Sequence, residues 1–215
     1  GGDCKNNLQC MKNISPQLVI DSAYALLNGK TSPLPLPYRR ILISRTDRLG
    51  DVLLSTPVIK NLRQHLPSAY IAVMANSTLE DVLKGNPYLD EVILFDKKGK
   101  HKGWINSMRF ARDLRKRKFD LALILHPTLR VHLILFFAGI KKRMGYDRKY
   151  GFLNNHILKH TKQFGEKHET EYALDFLKEL GIYSFDRTMF MPVYPDSEVW
   201  ADNFFKENKL NNKKF

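Results

Sequence analysis

A carboxylate set among cations is the chemistry this chain offers most clearly. In the stretch Ile41-Leu42-Ile43-Ser44-Arg45-Thr46-Asp47-Arg48-Leu49-Gly50-Asp51-Val52-Leu53-Leu54-Ser55-Thr56-Pro57, Asp51 follows Gly50 directly and Arg45 and Arg48 closely. Such a carboxylate at the mouth of a sheet suits a general base acting on an anionic substrate. The plain alternative is a helix N-terminal carboxylate stabilised by the dipole, worth about 0.3–1 kcal/mol. Asp47 is expected to cap or brace the turn. Gly50 reads as a turn glycine of positive φ that lets substrate approach the backbone. Ser55 and Thr56 offer hydroxyls either to a sugar or to helix capping, and Pro57 should start the regular helix or kink it. The turn has neither the Gly-x-Gly-x-x-Gly of a dinucleotide site nor the Gly-Lys-Ser/Thr of a phosphate loop.

The elements that must position these residues follow from periodicity. A short apolar run over 41–44 ends at a polar turn, and a helix-like pattern over 51–65 follows on Val52, Leu53, Val58, Ile59, Leu62 and Leu66. In open α/β sheets that junction lies at the carboxyl edge of the strands, where ligands bind. Further strands are expected over 70–75, 91–95, 121–125 and 143–145, with helices over 78–84, 104–116, 129–139 and 168–180. Strand and helix alternate with short connections, which predicts an α/β fold: a doubly wound, parallel, Rossmann-like sheet with right-handed crossovers from about Arg40 to Tyr183. Residues 1–39 read as an extension with a polar lead, a helix over 14–27 and a proline-rich linker over 31–37. Residues 40–195 read as the α/β domain. Residues 196–215 read as a helix over 200–209 and a linker beyond.

The chain carries 35 Lys+Arg against 22 Asp+Glu, a net charge of +13 in 215 residues. That excess calls for an acidic partner, whether nucleic acid, anionic membrane or phosphorylated substrate. No nucleic-acid-binding signature is present, and aromatics do not interleave with the basic runs, so nucleic acid is not expected. An anionic membrane surface or a lipid-linked acidic glycan fits better. Arg130, Arg143, Arg148 and Lys149 fall in or after two strands and are expected to converge on the edge that carries Asp51, where they would hold carboxylates or phosphates. Arg109, Arg112 and Lys116 form a solvated stripe opposite Trp104, Met108, Ala111 and Leu114. The run Lys97-Lys98-Gly99-Lys100-His101-Lys102 follows a strand end, where anionic head groups or an acidic glycan could bind, and reads first as a solvated loop. His126 opens a His-Pro turn and reads as structural. Cys4 and Cys10 lie in the polar lead and are expected to be reduced thiols. The first residues lack an apolar signal core, and no run approaches the roughly 20 residues needed to span a bilayer, so the default location is cytosolic.

The segment Asp47-Arg48-Leu49-Gly50-Asp51-Val52-Leu53-Leu54-Ser55-Thr56-Pro57 resembles the amino-terminal signature of glycosyltransferase family 9, the ADP-heptose:lipopolysaccharide heptosyltransferases. Asn86-Pro87-Tyr88-Leu89-Asp90-Glu91-Val92, Phe119-Asp120-Leu121-Ala122-Leu123-Ile124-Leu125, Lys142-Arg143-Met144-Gly145-Tyr146 and His168-Glu169-Thr170-Glu171-Tyr172 follow in the family's order. The resemblance implies the amino-terminal, acceptor-side half of a two-domain B-type glycosyltransferase, whose second domain holds most of the nucleotide-sugar site. It implies an inverting transfer of heptose from ADP-heptose to a lipopolysaccharide inner-core acceptor, with Asp51 as the base. Arg48, Gly50, Ser55, Arg130, Arg143, Arg148 and Lys149 would lie on the substrate. Arg130 matches a position where the family often has a basic residue facing the acceptor, and His168 would brace the domain. No Asp-x-Asp occurs, which agrees with a metal-independent reaction without a cofactor at the inner face of the cytoplasmic membrane. A different class also fits: a non-catalytic module that recruits anionic glycolipid or a partner enzyme.

Overall fold

The computed structural model describes residues 37–182 and 185–208. The expectations for residues 1–36, including Cys4, Cys10 and the helix over 14–27, lie outside those residues, as does the tail from 209. The strands are β1 (Arg40–Ser44), β2 (Tyr70–Ala75), β3 (Glu91–Leu94), β4 (Leu121–Ile124), β5 (Lys142–Tyr146) and β6 (His156–Leu158). They form a six-stranded sheet in the order β3-β2-β1-β4-β5-β6, with every neighbouring pair parallel. The helices are α1 (Leu49–Leu53), α2 (Thr56–His65), α3 (Glu80–Leu83), α4 (Gly103–Lys116), α5 (Leu129–Phe137), α6 (Glu169–Lys178) and α7 (Pro195–Glu207).

Alternation along the strands divides the core into two layers. Ile41, Ile43, Ile71, Val73, Leu121 and Leu123 pack with Val58 and Leu62 of α2 and with Leu174 and Leu177 of α6. From the opposite face, Leu42, Met74, Ala122 and Ile124 meet Phe110, Ala111 and Leu114 of α4 and Ile134 and Leu135 of α5. Burial on both faces is why β1 and β4 read as unbroken apolar runs. The winding reverses between β1 and β4, which opens the crevice beyond their carboxyl ends.

The structure differs from the sequence expectations at five places. The helix foreseen over 51–65 is two, α1 and α2, because Pro57 lies in the first turn of α2, where its missing N–H costs nothing. Gly50 lies inside α1 and is not among the glycines with positive φ, so its value is the lack of a side chain and not a special turn. β6 was not foreseen. Trp104, assigned to the buried face of its helix, is 49% exposed. The helix foreseen over 200–209 is α7 and begins earlier, at Pro195.

Residues 186–194 run back over α2 as a strap held by polar bonds. The side-chain amide of Asn61 donates to the carbonyls of Pro57 (2.8 Å) and Asp186 (2.7 Å), and its oxygen accepts the Asp186 N–H (2.9 Å). The Phe190 N–H donates to Thr56 Oγ1 (2.9 Å), and the Tyr194 hydroxyl donates to the Asp81 carbonyl (2.9 Å). Among the described residues no helix is long and apolar enough to cross a membrane.

Candidate functional site

The chain leaves β1 still bonded to both neighbouring strands. The Arg45 N–H donates to the Met74 carbonyl (3.0 Å), while the Leu125 and His126 N–H groups both donate to the Ser44 carbonyl (3.1 and 3.3 Å). Arg45 and Thr46 are thereby buried at the foot of the crevice. The Arg45 guanidinium gathers three carboxylates: Asp47 at 3.1 Å, Asp51 at 3.1 Å and Glu169 at 3.0 Å. It also donates to the Leu125 carbonyl (3.2 Å). Asp51, on the first turn of α1, keeps a third of its side chain open to solvent (33%). It is therefore held from below and reachable from above.

The neighbours of Asp51 are tuned in different directions. Burial pushes Asp47 up to about 6, against the pull of Arg45 and with help from the nearby charges of Asp51 and Glu169. Burial would raise Glu169 as well, but hydrogen bonds from Lys162 (2.6 Å) and Arg45 outweigh it and hold this carboxyl below its ordinary range. Burial lowers His126 to about 4, and the positive charges of Arg45, Lys97 and Lys149 add to the effect against Asp51. His126 is thus a neutral imidazole at physiological pH, sharing a hydrogen bond between Nδ1 and Thr46 Oγ1 (3.0 Å).

The same electrostatic neighbourhood shows which cations converge. Lys97 after β3 and Lys149 after β5 both act on His126 after β4, beside Asp51 after β1. Lys149 is exposed, on a backbone of φ 53°. Arg148 is exposed on the same connection, 3.4 Å from His160 Nε2. Arg130 lies in the first turn of α5, with its guanidinium 5.5 Å from the Trp104 ring. Arg48 is exposed at the residue preceding α1, and a Cβ built on Gly50 meets nothing within 4 Å.

Two expected site residues do not join this group. Arg143 is the second residue of β5, opposite Ala122, and therefore lies toward the amino end of the sheet. Its side chain donates to the carbonyls of Ile140 (2.6 Å) and Leu153 (3.0 Å), so it ties backbone together instead of facing the crevice. Ser55 is buried, and its hydroxyl donates to the Asp51 carbonyl (2.8 Å) at the break between α1 and α2. Two charged members of this cluster were not singled out by the sequence. Arg45 reads from the sequence only as one of two nearby cations, and its inward turn becomes visible in its bond to the Met74 carbonyl. Glu169 was passed over beside His168, which caps α6 by accepting the Thr170 N–H (3.3 Å).

No protein-family model matches the chain. It is 28% identical over 118 residues to lipopolysaccharide heptosyltransferase 2 of Escherichia coli (strain K12), covering 54% of this chain and 34% of that protein. It is 30% identical over 151 residues to lipopolysaccharide heptosyltransferase 3 of the same organism, covering 65% of this chain and 42% of that protein. The chain therefore spans less than half the length of these curated relatives. Its fold is that of a glycosyl transferase family 9 structure from Veillonella parvula, with TM-score 0.69 at 23% identity, over 80% of this chain and 50% of that one. An E. coli ADP-heptose lps heptosyltransferase II structure matches with TM-score 0.56 at 21% identity, over 78% of this chain and 50% of that one. In sequence and in fold alike, the chain is related to the family 9 heptosyltransferases and corresponds to their amino-terminal part.

Proposed function

We propose that the chain is the acceptor-side half of an inverting, metal-independent glycosyltransferase that moves a heptose from ADP-heptose to an inner-core lipopolysaccharide acceptor. The observation that carries the reading is the Asp51 carboxylate, one-third exposed over a buried guanidinium at the point where the sheet reverses its winding. The acceptor hydroxyl gives its proton to Asp51 as its oxygen bonds to the anomeric carbon. The bond to ADP breaks on the opposite face, and ADP leaves with the electron pair. Fixing the acceptor hydroxyl beside its base turns an encounter into an oriented step.

Arg48, Arg130, Arg148 and Lys149 are the cations offered to the acceptor's carboxylates and phosphates, and the open space over Gly50 admits the sugar. Most contacts to the donor belong to a second domain like that of the relatives. Metal independence rests on the lack of an Asp-x-Asp pair in the sequence. The test is Asp51→Asn in the full-length protein. Turnover should fall by roughly 10²–10⁴-fold with little change in acceptor affinity, because the carboxylate acts mainly in the transition state. Asp47→Asn should cost much less. An active Asp51→Asn beside a folded but inactive Asp47→Asn would reverse the assignment.

A further inference from the structure

We propose that the exposed start of α4 is a docking surface for an anionic lipid bilayer, with Trp104 and Ile105 entering the interface and the preceding lysines holding acidic head groups. This deepens the reading of a lipid-linked acceptor and rests on that reading for its purpose. The surface itself stands on four observations.

First, Trp104 (49% exposed) and Ile105 (73%) are adjacent large apolar side chains open to solvent. The helix behind them already buries Phe110, Ala111 and Leu114 on its core face. The pair thus lies outside the core face of the helix, with Trp104 meeting Arg130 (5.5 Å) on its covered side. With Met108, Arg109 and Arg112 it borders a shallow depression of about 400 Å³.

Second, Lys97, Lys98, Lys100 and Lys102 precede the pair and are all exposed, as are Arg109 and Arg112 on the helix. The loop carries its one acid, Asp96, turned onto its own backbone, where it accepts N–H bonds from Lys98 (3.2 Å), Gly99 (2.8 Å) and Lys100 (3.1 Å). On the helix, Asp113 is paired with Lys116 (2.9 Å). The cationic charge around the apolar pair is thus left largely uncompensated.

Third, the loop is built to hold that arrangement. The His101 ring lies against Phe95 and Phe110 at centroid distances of 5.5 and 4.5 Å and meets the Asp96 N–H at 3.0 Å. Fourth, the loop follows β3 as α1 follows β1, so the patch and Asp51 share one edge of the sheet. A bilayer seated there would present a lipid-anchored sugar toward the crevice. An indole beside an aliphatic side chain, ringed by basic residues, is the composition that lies in a lipid interface and is drawn to acidic lipids.

The chain has two tryptophans, so Trp200→Phe leaves Trp104 as the sole indole reporter. With vesicles of phosphatidylcholine and phosphatidylglycerol, its emission should shift to shorter wavelength and be quenched by lipids brominated on their chains. Phosphatidylcholine alone should give a much weaker response. In the Trp200 background without the reporter mutation, the pair Trp104→Ala and Ile105→Ala should weaken vesicle co-sedimentation at least tenfold. Lys98→Gln and Lys100→Gln should each weaken it about fivefold, an effect that added salt erases. Both positions are exposed, and circular dichroism verifies that the variants fold. Absence of vesicle binding overturns the proposal. So does co-sedimentation with unchanged Trp104 emission, or a double variant that binds like the parent, since either means attraction by charge alone. Transfer to a water-soluble acceptor is measured separately. Its failure in the full-length protein would remove the enzymatic reading and leave the docking surface standing.

Discussion

Arg45→Met is the sharpest test of how the crevice is held together. The methionine keeps much of the buried volume and removes the guanidinium that joins Asp47, Asp51, Glu169 and the Leu125 carbonyl. Breaking a buried pair by deleting one partner costs about 3–5 kcal/mol, and an orphaned buried carbonyl adds about 1 kcal/mol or more. That is a large part of the 5–15 kcal/mol typical of a domain. The loss should depend on pH. Asp47 already has a folded-state value raised to about 6 from 3.8, so its contribution to stability is fully present below 3.8 and lost as pH rises through about 6. Arg45 is what limits that rise, and without it Asp47 should be pushed further up and Glu169 should lose part of what holds it low. The variant's deficit should therefore be largest at about pH 7.5, where the carboxylates must be charged, and shrink toward about pH 5, where they can take protons. Urea unfolding of parent and variant at both pH values measures it. A deficit below about 1 kcal/mol, or one equal at the two pH values, would refute the picture of a single cation restraining three carboxylates.

Arg143→Met should lower thermal stability by releasing the carbonyls of Ile140 and Leu153, whereas Lys149→Gln should leave stability alone and raise the acceptor's KM; paired melting and kinetics separate the two. The ring protons of His126 should stay flat in NMR from about pH 8 down to about pH 5.5, because its folded-state value is near 4. Its contribution to stability is full above 6.5 and declines as pH falls toward about 4, opposing the trend from Asp47; a midpoint above 6 would contradict its burial. Gly50→Ala should keep or raise stability by up to about 1 kcal/mol, since the site is helical and open, yet should impair acceptor use. A destabilised Gly50→Ala would mean that the glycine serves the fold and not the substrate.

Four strands were legible because each carries an apolar run; β5, Lys-Arg-Met-Gly-Tyr, has none and was legible only from its place in the alternation, while the carboxyl-edge position of Asp51 follows from the strand-to-helix junction alone. β6 was not legible: His156, Ile157 and Leu158 are too few to show a period, and they become a strand only by pairing with Met144, Gly145 and Tyr146. The site was half legible. Asp51 and Lys149 sit where their place after strands put them, but Arg143 was misplaced because a strand's two ends look alike in sequence. Which of two arginines turns inward was also hidden. Arg45 and Arg48 differ only in that the first remains bonded to the Met74 carbonyl of β2 while the second has left the sheet. The convergence on Arg45 joins residues up to 124 positions apart, which no local pattern records.

The strap over α2 sets a direction for partial opening. Met189, Met191 and Val193 are exposed at 48%, 58% and 68%, so lifting these residues uncovers little apolar surface. The bonds of Tyr194 and Phe190 can release one after another, like stitches drawn from the carboxyl side. The seam then stops at Asn61: parting from Asp186 gives up two bonds at a fully buried amide, and Lys60 holds the Asp186 carboxylate beside it, whereas each earlier step gives up one. Hydrogen exchange should therefore fall into two ranks, with the Phe190 amide exchanging early and that of Asp186 exchanging late, with the core. A pull applied beyond Tyr194 would be absorbed by the strap and arrested before it reached the strands that hold Asp51.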